Sequence, residues 1–228
     1  MIYIIVGGVG SGKSLGACKT IIDRGCKAYT NFDMIGVKGY HRLKYSDIIS
    51  SEVESVKKDG SPKKMKVDVN FKYWEKQMKG KEGFDIYVDE LQSVANSRRS
   101  QSTENVIWGK FISQIRKMLG STEKNNIYLI TQRPGSIDIQ FRELAHVWIL
   151  CNKVTIHAVE LATETPEGVK MLPMTIIVQN YFRSLDELEI FNRTDNDRIP
   201  FMRKGFIGNN YYKYYNSYAL IDFSGEYV

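Results

Sequence analysis

The chain has 228 residues, of which 43% are hydrophobic and 25% charged, and carries a net charge of +6 at pH 7. That mix excludes a disordered chain and suits a globular one with a single substantial core, so one domain over residues 1–228 is expected. No apolar run reaches the ~20 residues that span a bilayer, the N-terminus does not read as a signal peptide, and Cys18, Cys26 and Cys151 lack metal-ligand spacing, which excludes a membrane-spanning chain, a disulfide framework and a zinc site.

Residues 2–6 form an apolar, β-rich run that leads into Gly7-Gly8-Val9-Gly10-Ser11-Gly12-Lys13-Ser14, the pattern G-x-x-x-x-G-K-S. Glycines at this spacing let the backbone wrap an anion with its N–H groups inward, and a helix over Leu15–Arg24 presents the positive end of its dipole. The strand, loop and helix order predicts a nucleotide phosphate site (Walker A) built from Gly8, Val9, Gly10, Ser11, Gly12, Lys13, Ser14 and Leu15. Lys13 is then expected to reach the β and γ phosphates of ATP, with the Ser14 hydroxyl on Mg²⁺.

Lys27–Asn31 reads as a second short strand that ends in a polar turn. Nine lysines between Lys57 and Lys81 face only Asp59, Asp68 and Glu75, a local excess equal to that of the whole chain. The turn-like Asp59-Gly60-Ser61-Pro62 makes this stretch a surface insertion or hairpin, with a helix after it around Phe71–Met78. It is either a DNA-facing patch or a solvated basic loop.

In Phe84-Asp85-Ile86-Tyr87-Val88-Asp89-Glu90 a strand ends in two acids (Walker B). Mg²⁺ keeps most of its waters and needs few carboxylates, so Asp89 alone suffices for the metal, and Glu90 beside it is the candidate general base on water. Residues Glu104–Leu119 carry apolar groups on one helical face. Asn126–Thr131 reads as a buried strand that delivers Gln132. If this strand lies between the phosphate loop and the Asp89 strand, the Gln132 amide comes near the γ-phosphate and can sense hydrolysis; otherwise Thr131 and Gln132 only satisfy backbone groups.

Val147–Asn152, Val154–Glu160 and Met174–Gln179 are expected to extend the sheet at one edge, and Ser184 caps a short helix to Phe191. The tail interleaves Tyr211, Tyr212, Tyr214, Tyr215 and Tyr218 with Lys213 and Asn216; a strand packed onto the domain or onto a neighbouring subunit is favoured over base stacking. His41, His146 and His157 are scattered, and none is assigned a catalytic role.

The set Gly-Gly-Val-Gly-Ser-Gly-Lys-Ser, Tyr-Val-Asp-Glu and Ile-Thr-Gln-Arg-Pro-Gly-Ser-Ile-Asp resembles the FtsK-HerA superfamily of DNA-pumping ATPases. The stretch from Asp89 to Arg99, with the helix that ends Gln114-Ile-Arg116-Lys117, resembles small viral genome-packaging members. The likeness covers about residues 1–150, with residues from about 151 to 228 as a C-terminal strand extension. It implies an α/β P-loop NTPase fold of the additional-strand (ASCE, RecA-like) kind, with a mainly parallel sheet. It further implies Mg²⁺-dependent ATP hydrolysis by a homo-oligomeric ring, a hexamer in most relatives, that moves double-stranded DNA without reading its sequence. A packaging enzyme of this kind works in the host cytoplasm or on the virion, and capsid vertex proteins are the candidate docking partners.

Ring ATPases of this group take an arginine from the neighbouring subunit. Arg98, Arg99, Arg116 and Arg142 are candidates, with Arg116 favoured because its helix end is expected on the nucleotide side of the sheet. A second reading is a morphogenesis ATPase similar to the zonular occludens toxin-like assembly proteins of filamentous phages, which share the opening loop and the Ile-Thr-Gln strand. Those proteins usually continue into a transmembrane segment that this sequence lacks, which places packaging first. A third reading is a non-motor nucleotide switch, against which Glu90 argues.

Overall fold

Two strands are buried along their whole length because both of their faces are covered. β6 (Phe84–Val88) and β7 (Asn126–Thr131) are buried at every position, as expected of central strands in a parallel sheet flanked by helices. The one charge inside β6, Asp85, is fully buried and paired: Arg24 donates to both of its oxygens, the Tyr87 hydroxyl donates at 3.2 Å, and the Asn126 backbone N–H at 3.0 Å.

This computed structural model describes residues 1–56, 62–78, 83–94, 103–118, 125–156 and 173–215. Besides β6 and β7, the described residues form β1 (Ile2–Val6), α1 (Lys13–Arg24), β2 (Lys27–Thr30), β3 (Tyr40–Arg42), α2 (Tyr45–Ile48), β4 (Ile49–Val56), β5 (Pro62–Val69) and α3 (Phe71–Met78). After β6 come α4 (Leu91–Val94) and α5 (Thr103–Met118), and after β7 come α6 (Ile139–Glu143), β8 (Val147–Ile156), β9 (Met174–Phe182), α7 (Leu185–Thr194) and β10 (Met202–Ile207). A 3-10 segment, Gly208–Tyr214, follows β10.

Among the described residues the main sheet has the order β10-β9-β8-β1-β7-β6-β2-β3, and β4 and β5 pair as a separate antiparallel hairpin. From β8 to β3 every pairing is parallel, whereas β9 runs antiparallel to β8 and β10 antiparallel to β9. β7 therefore lies between the phosphate-loop strand β1 and the Asp89 strand β6. This is the additional-strand P-loop NTPase arrangement, and β9 and β10 extend the sheet at one edge as expected.

Alternate residues of each strand point to opposite faces. Ile5, Tyr87, Tyr128 and Ile130 meet Ala17, Cys18 and Ile21 of α1 on one face. Ile4, Val88, Ile127 and Leu129 meet Trp74 of α3, Trp108, Phe111 and Ile115 of α5, and Phe191 of α7 on the other. α7 carries the expected Ser184 cap, whose hydroxyl accepts from the Glu187 N–H at 3.1 Å. No helix among the described residues is long and apolar enough to cross a membrane.

Three local expectations are corrected. The strands expected at Val147–Asn152 and Val154–Glu160 are, as far as Ile156, one strand, β8, which continues through Lys153 because β9 pairs with it from Trp148 to Ile156; residues 157–160 lie outside the described residues. Among the described residues the tyrosine-rich tail forms no strand: Gly208–Tyr214 turns as a 3-10 segment, and Tyr215 makes an isolated bridge to Met34. Residues 216–228 lie outside the described residues. α5 packs on the face of the sheet opposite α1, so the helix that carries Arg116 does not share the face of the phosphate-loop helix. The side chain of Arg116 and residues Arg98 and Arg99 fall outside the described residues. Most of the basic stretch does so too, although Lys72 and Lys76 are exposed on α3.

Candidate functional site

The register of three strands builds the site. Val6 pairs with Thr131, and Leu129 with Val88, so the loop after β1, the acids after β6 and Gln132 after β7 emerge together at the carboxyl edge of the sheet. Brought to one place are Lys13, Ser14, Asp89, Glu90 and Gln132, five positions drawn from three separate stretches of sequence.

The loop itself depends on two glycines in different ways. Gly12 caps α1 at φ 90°, a left-handed conformation that a side chain strains, and a Cβ there would stand 2.3 Å from Ile177 Cδ1. At Gly7 a Cβ would meet the Cys151 carbonyl oxygen at 2.6 Å, so the loop start lies tight against β8. Lys13 is buried, and its Nζ donates to the carbonyl oxygens of Gly7 at 2.8 Å and Gly8 at 2.9 Å. The ammonium is thereby held inside the loop curve. Ser11 Oγ is buried and finds no hydrogen-bond partner among the described residues, a donor suited to a phosphate oxygen.

Ser14 and Asp89 touch: the Ser14 hydroxyl donates to Asp89 Oδ2. Asp89 is only 2% exposed, and burial pushes its carboxyl above the usual range, opposed by the bonds from Ser14 and from the Glu90 N–H and by the Lys13 charge. A hydroxyl and a single dry carboxylate side by side fit Mg²⁺, which takes few protein ligands and keeps its waters. Among the described residues no larger cluster of acids, histidines and cysteines competes for a metal.

Asn31, the first residue after β2, is fully buried and holds Asp89 from behind. Its Nδ2 donates to the Asp89 carbonyl at 2.8 Å, and its Oδ1 accepts from the Asp89 N–H at 2.7 Å.

Glu90 sits at φ 51°, a left-handed conformation rare for a residue with a side chain and worth about 1 kcal/mol of strain or more. The strain turns its carboxylate toward two amides. Gln92 Nε2 donates to Glu90 Oε2, and Gln132 Nε2 donates to Glu90 Oε1 at 3.2 Å. The Thr131 hydroxyl in turn donates to Gln92 Oε1 at 2.8 Å. Thr131 and Gln132 are thus part of a network around Glu90 and do more than close a strand end.

A cleft of about 810 Å³ opens over this arrangement. Val9, Gly10, Gly12, Lys13, Ser14 and Leu15 line it, together with Glu90 and Gln132. Gly8 and Ser11 belong to the loop but not to the cleft lining. Residues that the sequence pattern did not select also line it: Ile35, Lys153, Ile177, Tyr212, Lys213 and Tyr215. The Tyr215 phenol lies against Ser14 and is pushed up, first by burial and then by the charge of Asp89. For Asn31 the only signal was an amide closing a polar turn; for Gln92 and the tail no spacing rule points at the site.

The family model described as zonular occludens toxin (Zot) matches residues 1–168. Among solved structures, the N-terminal domain of zonular occludens toxin from Neisseria meningitidis is similar at 17% identity, covering 95% of this chain and 98% of that one, with a TM-score of 0.49. The DNA-packaging ATPase B204 from Sulfolobus turreted icosahedral virus matches at 14% identity over 94% of this chain and 96% of that one, with a TM-score of 0.42. The genome-packaging NTPase B204 from Sulfolobus turreted icosahedral virus 2, in complex with ATP-gammaS, matches at 13% identity over 77% and 90%, with a TM-score of 0.38. No protein with a curated description matches the chain. With most of its length matched and the additional strand β7 in place, the chain belongs to the zonular occludens toxin family and is a P-loop ATPase of the FtsK-HerA type.

Proposed function

We propose that this ATPase is a Mg²⁺-dependent motor of virion morphogenesis that acts on viral DNA as a ring of identical subunits. The observation that carries the reading is the family match over residues 1–168, joined to a site in which a hydroxyl, a dry carboxylate and a doubly held glutamate converge on one phosphate loop. That match moves weight from packaging into a preformed capsid, which the motifs alone placed first, to the assembly role. Packaging of double-stranded DNA, with a capsid vertex as docking partner, is the second reading, since the basic excess and the loop motifs serve it equally.

In either reading the chemistry is the same. The backbone N–H groups from Gly8 to Ser14 hold the phosphates, and Lys13 turns from the Gly7 and Gly8 carbonyls to the β and γ oxygens. Mg²⁺ held by Ser14 and, through water, Asp89 would neutralise charge on those oxygens. Glu90 accepts a proton from the water that attacks the γ-phosphorus while the bond to the β–γ bridging oxygen breaks, and ADP and phosphate leave. Gln132, bonded to the same carboxylate, reports the change along β7. An arginine from the neighbouring subunit completes the site, a contribution worth about 10³ to 10⁵ in rate where it occurs.

Steady-state hydrolysis of MgATP, with and without linear double-stranded DNA and across salt and protein concentration, tests the reading. Stimulation by DNA that fades with salt and rises cooperatively with protein is the expected result for an oligomeric DNA motor. Hydrolysis indifferent to double-stranded DNA excludes packaging and leaves the assembly role; nucleotide binding without turnover by wild type removes the motor altogether. Lys13→Ala is expected to lose nucleotide binding, and Glu90→Gln to hold ATP without turning it over. Normal hydrolysis by Glu90→Gln would remove Glu90 as the base.

A further inference from the structure

The loop, Asp89, Glu90 and Gln132 account for the phosphate end of the cleft and leave its nucleoside end without an assigned partner. The remaining lining holds two large apolar side chains in water: Ile35 is 57% exposed and Tyr212 is 47% exposed. Isolated exposed apolar residues need no explanation, but two on the lining of one cleft do.

Both belong to segments that are fastened in place. The 3-10 segment Gly208–Tyr214 lies over the first turn of α1, so close that a Cβ on Gly208 would stand 3.0 Å from Leu15 Cδ2. Asn209 ties its start to the foot of β9, accepting from the Thr175 N–H at 2.7 Å and donating to the Pro173 carbonyl at 3.2 Å. At its other end the Ile35 N–H donates to the Tyr214 carbonyl at 3.0 Å, Tyr215 bridges to Met34, and the Tyr215 ring meets Phe32 edge-on at 5.9 Å. Neighbouring side chains divide the labour: Tyr211 turns inward to Phe206, with ring centroids 5.5 Å apart, whereas Tyr212 is left on the cleft.

A nucleoside demands this surface. A base offers two flat apolar faces, and a ring held rigidly at its edge gains stacking energy at little entropic cost. We propose that Tyr212 and Ile35 form the nucleoside subsite of the cleft, with the base stacked on the Tyr212 ring and bounded by Ile35. The tail segment then does two things at once: it packs on α1, β9 and the loop after β2, and it completes the ligand site with a residue about 200 positions from the phosphate loop. The inference rests on the cleft being the nucleotide site.

The test compares ligands that share the phosphates but differ in the nucleoside. Affinities for MgATP and for magnesium tripolyphosphate are measured by calorimetry for wild type, Tyr212→Phe, Tyr212→Ala and Ile35→Ser, with thermal melts as a folding control. Tyr212→Ala is expected to weaken ATP about ten-fold and to leave tripolyphosphate unchanged, Ile35→Ser to do so to a smaller extent, and Tyr212→Phe to bind as wild type does. ATP affinity unchanged in Tyr212→Ala, or ATP and tripolyphosphate weakened alike, overturns the subsite while leaving the nucleotide site standing. Wild type that binds neither ligand overturns the nucleotide site itself and the subsite with it.

Discussion

The side-chain amide of Asn31 spans the backbone of Asp89, donating to its carbonyl at 2.8 Å and accepting from its N–H at 2.7 Å. Two edge groups that no neighbouring strand satisfies are paired in this way, and the carboxylate is kept at the height of Ser14. Asn31→Ala leaves both backbone groups buried and unpaired, a loss of about 2–4 kcal/mol in stability. Denaturant melts should show that loss. Hydrolysis in the folded variant should need more Mg²⁺ to reach half its maximum, and an unchanged Mg²⁺ titration would separate Asn31 from the metal-facing role of Asp89.

Gln92 and Gln132 reach Glu90 from two different elements, one on α4 and one at the end of β7. Removing one amide frees a carboxylate that acts within a narrow range of positions, so Gln92→Leu should lower kcat by about ten-fold. ATP affinity should hold, since Gln92 does not line the cleft. If KM rises and kcat stays, Gln92 serves the fold of α4 and not the orientation of Glu90.

Burial raises the Asp89 carboxyl above its ordinary value, so the folded protein binds a proton there more tightly than the unfolded chain does. The sign follows: this group favours folding below its unfolded pKa, and that contribution is lost as pH rises through its higher folded pKa. At neutral pH the ionised Asp89 therefore costs stability that Asp89→Asn recovers. Thermal melts without Mg²⁺ should place the variant above wild type at neutral pH, with the gap closing in acid below the ordinary aspartate range. Mg²⁺ should raise wild type alone. A variant less stable than wild type at neutral pH contradicts this account.

Three thiols differ in reach. Cys18 is pushed up to about 12, by burial and then by the Asp89 charge, and Cys151 to about 12 by burial. Cys26 is half-buried and raised less. With little thiolate and no access at the two buried sites, an alkylating reagent near pH 8 should modify Cys26 alone in the native protein and all three after unfolding. Intact mass spectrometry reads the count, and native labelling of Cys18 beside the phosphate loop would mean that α1 opens.

Much of the fold was legible because its signals are local. The run from Asn126 to Thr131 announced a buried strand, that from Phe84 to Val88 a strand ending in two acids, and Ser184 with Asp186 and Glu187 the helix that follows it. Where the chain departs from expectation, a partner decides. β8 runs on through polar Lys153 because β9 pairs beside it, and the tyrosines of the tail turn as a 3-10 segment because α1 and Met34 offer that surface. Arg116 illustrates the same limit, since helical periodicity reveals which residues of α5 are apolar but not which face of the sheet they cover.

By itself the sequence determined the phosphate loop, the pair Asp89 and Glu90, and the strand that carries Gln132. Each is a contiguous pattern whose backbone demands, glycine at a left-handed φ or an apolar run with a polar end, are met by its own residues. Only the tertiary structure decided that β7 lies between β1 and β6, that Asn31 clasps Asp89, that Gln92 reaches Glu90 and that Tyr212 lines the cleft. Those relations depend on strand order and register, which are set by burial summed over the whole sheet and leave no mark at the positions that they bring together.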